Sequence, residues 1–279
     1  MYQNIFLDIK KMKMHLWDDT KGHLEIPFRK YAYVKHPSGQ HVSLYGDRLK
    51  KVTQFDKDDP TLHESDVPPT TRFLVDQYGD SDEASSGHRI MFFDIEVEVT
   101  EGFPDVQKAQ NPITSIALYD STTEKYFTYC FDPHKRIKNY SKDDQVVEFY
   151  ETEYEMLNQF FQKYLEIRPT IISGWNSEFF DIPYLYNRAV RVLGPEVANL
   201  LSPISQVIYS EYKKKHTIAG VSSLDYLQLY RQFTFTQQSS YRLDYIGEVE
   251  VGMKKVDYSG TLNDLYDNDL QTFIDYNIR

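Results

Sequence analysis

The stretch from Arg89 to Glu96 constrains this chain more than any other. Arg89-Ile90-Met91-Phe92-Phe93 reads as a central, buried strand, yet its far end carries Asp94 and Glu96. Side chains two apart on a strand point to the same face, so two carboxylates stand side by side at the end of a buried element. Like charges that close repel, and burying them unpaired is costly. A divalent cation removes both objections. So does a strand that simply runs out into solvent, and the triplet alone fits either reading.

The rest of the composition narrows the class of protein. With 279 residues, 15% of them aromatic, the chain can build one large core or two smaller ones. Its single Cys130 excludes a disulfide framework and a thiolate zinc cluster, and fits a reducing cytoplasm. No apolar run approaches the ~20 residues that span a bilayer, and Met1-Tyr2-Gln3-Asn4 lacks the basic-then-apolar start of a signal peptide. These features predict a soluble, cytoplasmic protein with no membrane partner. The net charge of −11 argues against wholesale electrostatic capture of nucleic acid. It leaves room for a nucleic-acid enzyme that relies on metal ions and local basic patches, such as Lys10-Lys11-Met12-Lys13, Arg48-Leu49-Lys50-Lys51 or Lys213-Lys214-Lys215. Each run is more often just a solvated face, so none is evidence by itself.

Strand-like alternation at 4–9, 29–35, 41–45 and 48–55 predicts a strand-rich N-terminal region, with Pro37-Ser38-Gly39 as a turn. A short helix is expected over 69–78. The Ser-Asp-Glu-rich segment 80–87 predicts a domain boundary, giving domains 1–88 and 89–279. From Arg89 the pattern changes. Strands at 89–99, 113–119 and 125–131 read as an antiparallel meander. Helical spacing of Met156, Leu157, Phe160, Phe161, Tyr164 and Leu165 follows. Ile171-Ile172 reads as a short buried strand, and Asp181-Ile182-Pro183 opens a helix. This order predicts an α/β domain built on a mixed sheet, with 222–279 mostly helical.

The second informative cluster is Ser173-Gly174-Trp175-Asn176-Ser177-Glu178-Phe179-Phe180-Asp181. An apolar strand runs into a glycine turn, a polar loop and an acidic residue at a helix start. Taken singly, Asp181 reads as an ordinary N-cap and Asn176 as a turn residue. Together, Phe93-Asp94-Ile95-Glu96 and the run from Asn176 to Phe180-Asp181 resemble, in order and separation, the first and second exonuclease motifs of family B DNA polymerases. The resemblance is greatest to the replicative polymerases of T-even-like phages. It extends through Glu101-Gly102-Phe103-Pro104, Asp181-Ile182-Pro183-Tyr184-Leu185-Tyr186-Asn187-Arg188, Leu224-Asp225-Tyr226-Leu227-Gln228-Leu229-Tyr230 and Tyr241-Arg242-Leu243-Asp244-Tyr245-Ile246, and ends on Tyr276-Asn277-Ile278-Arg279. It is strong over 89–279 and loose over 1–65.

The resemblance implies a ribonuclease-H-like 3′→5′ exonuclease domain, behind an N-terminal domain of the family type. Two Mg²⁺ ions, replaceable by Mn²⁺, would be held by Asp94, Glu96 and Asp181, and would activate a water and stabilise the leaving 3′-oxygen. Asp94 would bridge both ions, Glu96 would hold the water-activating one, and Asp181 would support the second. Tyr276 would orient the attacking water. Phe103 would wedge against unpaired 3′ bases, a contact worth roughly 1–3 kcal/mol per stacked base; packing beside Pro104 is its alternative. Asn176 would hydrogen-bond the strand's backbone beside Phe180. The segment 206–221 reads as a hairpin with Lys213, Lys214 and Lys215 at its tip, placed either to touch phosphates or to face water.

In this family the third motif runs Tyr, three residues, Asp. If Tyr276 is that tyrosine, the carboxylate belongs one position past Arg279. Asp-Thr-Asp-Ser and Ser-Leu-Tyr-Pro polymerase motifs are also absent from the sequence. The expectation is therefore an N-terminal fragment, or one subunit, of a proofreading DNA polymerase. Its partners would be the single-stranded 3′ end of a primer–template and a polymerase portion in cis or in trans, in the host cytoplasm if phage-encoded. The alternatives are an inert module that binds single-stranded DNA and docks the polymerase half, and a stand-alone nuclease.

Overall fold

The computed structural model describes residues 1–100 and 102–278, so Glu101 and Arg279 of the quoted motifs lie outside the described residues. The chain divides into two compact units, Met1–Gly87 and His88–Arg279.

The first unit holds two three-stranded antiparallel sheets. One is β1 (Tyr2–Asp8), β2 (Lys13–Asp18) and β3 (Gly22–Pro27); the other orders β4 (Ala32–Lys35), β6 (Arg48–Val52) and β5 (His41–Val42). Helix α1 (Pro69–Tyr78) opens on proline, whose missing N–H has no role in a first turn. Its Phe73 joins Met14, Leu16 and Phe28 in a small core. Strands β2 and β3 were not expected. His15 and Asp18 are buried within β2, so its apolar alternation is broken, and the adjacent lysines read as a basic face.

The second unit is built on a seven-stranded mixed sheet. Its strands are β7 (Ile90–Val97), β8 (Ile113–Asp120), β9 (Lys125–Phe131), β10 (Tyr140–Lys142), β11 (Gln145–Tyr150), β12 (Ile171–Gly174) and β15 (Ser222–Asp225). They are ordered β10-β11-β9-β8-β7-β12-β15. The expected meander of β7, β8 and β9 is antiparallel, and β12 and β15 add in parallel beside β7. Strands β10 and β11 escaped sequence reading because Lys142-Asp143-Asp144 looks like a connector. Asp143 takes a left-handed φ of 54°, which closes the pair as a tight hairpin.

The period of β7 decides what covers each face. Met91, Phe93, Ile95 and Val97 are buried against Met156, Leu157 and Phe160 of α2 (Glu153–Ile167) and Ile182 and Leu185 of α3 (Asp181–Val192). The opposite face carries Phe92, Asp94 and Glu96. There α8 (Leu270–Ile278) lays Leu270, Phe273 and Ile274 on Cys130 and Val147. The remaining elements are α4 (Pro195–Ala198) with a 3-10 turn over Asn199–Leu201, the hairpin of β13 (Val207–Ser210) and β14 (Lys215–Ile218), and helices α5 (Tyr226–Phe233), α6 (Leu243–Val251) and α7 (Leu262–Asn268). No described helix is long and apolar enough to cross a membrane.

Candidate active site

Asp94 and Glu96 sit at the end of β7 on the face that α8 reaches. The neighbouring β12 stops pairing with β7 at Ser173↔Phe92, so the ladder ends just before the two acids. Gly174 follows, and a Cβ there would stand 2.6 Å from the Phe93 carbonyl oxygen; only glycine permits this approach. The chain then loops over 175–180 and enters α3. Asp181 is 3% exposed, and its Oδ1 accepts from the Ile95 N–H at 3.1 Å, taking a donor that β12 no longer reaches. The N-cap position of α3 belongs to Phe180, which makes no side-chain cap. Asp181 is therefore a tie from helix to β7 beside Asp94, not an ordinary cap.

Helix α8 supplies Tyr276 and Asn277. The Asn277 Nδ2 lies 3.3 Å from Asp94 Oδ2, and its Oδ1 accepts from the buried Ser115 hydroxyl at 2.5 Å. The serine thus dictates which way the amide points, and the amide's N–H end faces Asp94. Lys255, between α6 and α7, brings its Nζ to 4.2 Å from the centre of the Tyr276 ring.

The electrostatics show an excess of negative charge. Burial raises the Asp94 carboxyl above its usual range, against the opposing pull of Lys255 and Asn277. Burial, then repulsion from Asp94, pushes Glu96 up to about 8. Burial and Asp94 also drive Asp181 well upward, against the Ile95 hydrogen bond. Burial works against the Lys255 ammonium, yet Asp94 and Glu96 outweigh it and hold its pKa above the ordinary lysine value. Asp94 and Glu96 share the field of Lys255, and Asp181 adds a third desolvated carboxyl beside Asp94. The donor set is hard oxygen throughout, which fits a hard divalent ion, and Lys255 is the cation now facing Asp94 and Glu96. Among the described residues no group of three or more His, Cys, Asp or Glu side chains converges on a single ion position. Asp181 is turned to Ile95 and Asp94 to Asn277.

The residues expected to meet DNA lie around this centre. Phe103 is 79% exposed, with its ring centre 5.1 Å from that of Phe180, which in turn packs at 5.6 Å on Tyr184. It is a projecting aromatic on an aromatic base, not a core residue. Asn176 takes a left-handed φ of 62° in the 175–180 loop. The three lysines differ. Lys213 is exposed at the hairpin tip, Lys214 pairs with Glu211 at 3.1 Å, and Lys215 pairs with Glu178 at 2.7 Å. Lys215 therefore ties the hairpin to the loop. Lys255, Asn277 and Ser115 were not singled out from the sequence. Lys254-Lys255 and the residue after Tyr276 were the only signals available.

Residues 76–246 match the family described as DNA polymerase family B, exonuclease domain. The DNA-directed DNA polymerase of Escherichia phage RB69 is 35% identical over 219 residues, which is 68% of this chain and 24% of that protein. That of Enterobacteria phage T4 is 30% identical over 234 residues, 74% of this chain and 26% of the relative. DNA polymerase 1 of Saccharolobus solfataricus is 30% identical over 247 residues, 84% and 24% respectively. The chain belongs to DNA polymerase family B and carries its 3′→5′ exonuclease domain. Its mixed sheet between helices is consistent with the ribonuclease-H-like fold, and exonuclease domains of this family are metal-dependent. The chain spans about a quarter of the length of these relatives.

Proposed function

We propose that this chain removes nucleotides from the 3′ end of single-stranded DNA, as the proofreading part of a replicative polymerase. The observation that carries the reading is the set of three desolvated carboxyls with raised pKa values, Asp94 and Glu96 facing Lys255 and Asp181 facing Asp94. Such a site is strained while its charge is uncompensated, and it is relieved by cations. Asp94, Glu96 and Asp181 would hold two Mg²⁺, or Mn²⁺ in their place. When bound, the ions supply an activated water and stabilise the leaving 3′-oxygen. The Tyr276 hydroxyl orients the attacking water. The Lys255 ammonium faces a non-bridging oxygen of the scissile phosphate. Phe103, braced by Phe180, stacks on the terminal bases, which suits an editor because every base has a π-face. Asn176 holds the strand's backbone, and Lys213 is the hairpin lysine free to meet a phosphate.

The polymerase portion, joined in cis or in trans, is the second partner of this reading, with residues 1–87 as its N-terminal domain and the host cytoplasm as its setting. A second reading has a specific observation behind it. Since no three acidic side chains converge on one ion position among the described residues, the chain by itself would bind the strand without cutting it. One assay separates the two. The full chain is incubated with a 5′-labelled single-stranded oligonucleotide and Mg²⁺, with and without chelator. Stepwise shortening from the 3′ end that stops with chelator supports the nuclease. Metal-dependent retention without shortening supports the binding module.

A further inference from the structure

We propose that Asp225 is a positioning residue for the exonuclease loop 175–180. The proposal deepens the nuclease reading and rests on it for its catalytic consequence. Asp225 ends β15, precedes α5 and is 3% exposed. Its Oδ1 accepts from the N–H groups of Leu227 at 2.9 Å and Gln228 at 3.3 Å, the ordinary work of an N-cap. A cap needs one oxygen, and this carboxylate does more. Oδ1 also accepts from the Asn176 N–H at 3.2 Å, and Oδ2 accepts from the Glu178 N–H at 3.1 Å.

The arrangement follows from the sheet. Strands β12 and β15 are parallel with Gly174 opposite Asp225, so the carboxylate lies level with the point where the loop leaves the sheet. Past Gly174 the backbone has no ladder partner. Asn176 turns left-handed, at a φ of 62°, and the N–H groups on either side of Ser177 face inward. Inward-turned N–H groups in such a loop form a concavity that favours an anion, and here the anion is the protein's own. The loop is thus held from inside by Asp225, while the Glu178 side chain is held by Lys215. Two half-buried N–H groups satisfied by a charged acceptor keep a strained backbone in one conformation. That conformation sets Asn176, Phe180 and Asp181 relative to β7.

Serine at this position separates the two jobs, because it caps a helix about as well as aspartate but offers one short oxygen. The test uses the full chain as wild type, Asp225→Ser and Asp225→Asn. Amide hydrogen exchange is followed without metal, and cleavage of a single-stranded oligonucleotide with Mg²⁺. In Asp225→Ser the Glu178 amide, which is held by Oδ2 alone, should exchange at least about tenfold faster while Gln228, held by Oδ1, keeps its protection, the scale set by losing a charge-assisted bond. Catalytic efficiency on the oligonucleotide, measured well below each variant's melting transition, should fall by about tenfold or more. Asp225→Asn, which keeps the shape and one acceptor, should show the same pattern and serves if the serine variant does not fold. Unchanged exchange at the Glu178 amide overturns the proposal, as does wild-type cleavage with that amide released. Failure of the wild type to cleave or bind the strand overturns the nuclease reading instead, and the exchange result still decides the latch.

Discussion

Replacing Glu96 by glutamine should make the metal-free chain more stable at alkaline pH and leave it unchanged in acid. The Glu96 carboxyl is held near 8 in the folded chain against an ordinary 4.5, because burial and the neighbouring Asp94 both disfavour its charge. The sign follows from proton counting. Between those two values the folded chain binds more protons than the unfolded chain, so stability falls as pH rises. The penalty is absent below pH 4.5, grows across the window and is complete above about 8. At 1.36 kcal/mol per pH interval the full gap sets a ceiling near 5 kcal/mol, and with Lys255 relaxing toward the charge about 2–5 kcal/mol is expected. For a unit of this size that corresponds to a rise in Tm of roughly 5–15 °C in the variant at pH 9. Thermal melts of wild type and Glu96→Gln in chelator, at pH 4, 7 and 9, read the difference directly. Curves that coincide at all three values, or separate most at pH 4, would refute an uncompensated carboxyl at this site.

Three further outcomes test separate parts of the account. Phe103→Ala should leave Tm unchanged, because the ring is mostly exposed, and should weaken retention of a single-stranded 3′ end by about 1–3 kcal/mol in a binding titration. Arg188→Leu should destabilise the second unit by about 3–5 kcal/mol in denaturant melts, since Glu153, which accepts from Arg188 at 2.6 Å and from the Ile113 N–H at 2.8 Å, would be left buried without its partner. Lys255→Met should slow metal-dependent cleavage by an order of magnitude or more, on the scale of lost transition-state charge stabilisation, and should raise the Asp94 and Glu96 titrations further, because it removes the one opposing cation among the described residues. Unchanged titration in that variant would exclude Lys255 from the site.

How much of this could be read in the sequence depended on range. The β7 triplet was legible because its period places Asp94 and Glu96 on one face whatever lies around them. The glycine turn and the helix at Asp181 were legible as local chemistry, and motif order supplied the rest of the recognition. The tie from Asp181 to Ile95 was not, since Ile95 lies on a strand it meets only after the chain has folded. Asn277 and Ser115 act on Asp94 across most of the domain, and no local pattern marks them. Lys215 read either as a phosphate contact or as a solvated turn residue, and neither reading includes its pairing with Glu178, which comes from a distant loop. Strands β2 and β3 were hidden by buried His15 and Asp18, whose partners are likewise supplied by neighbouring elements, as with Tyr78 donating to Asp18 at 2.8 Å.

The central claim is that Asp94 and Glu96 form a metal-dependent cutting site. The most direct measurement compares the full chain with the Asp94→Ala, Glu96→Ala double variant on a 5′-labelled single-stranded oligonucleotide in Mg²⁺. The account predicts stepwise 3′ shortening by the wild type, none by the variant, and a variant fold at least as stable in metal-free melts because carboxylate repulsion is relieved. Equal shortening by both proteins would contradict it.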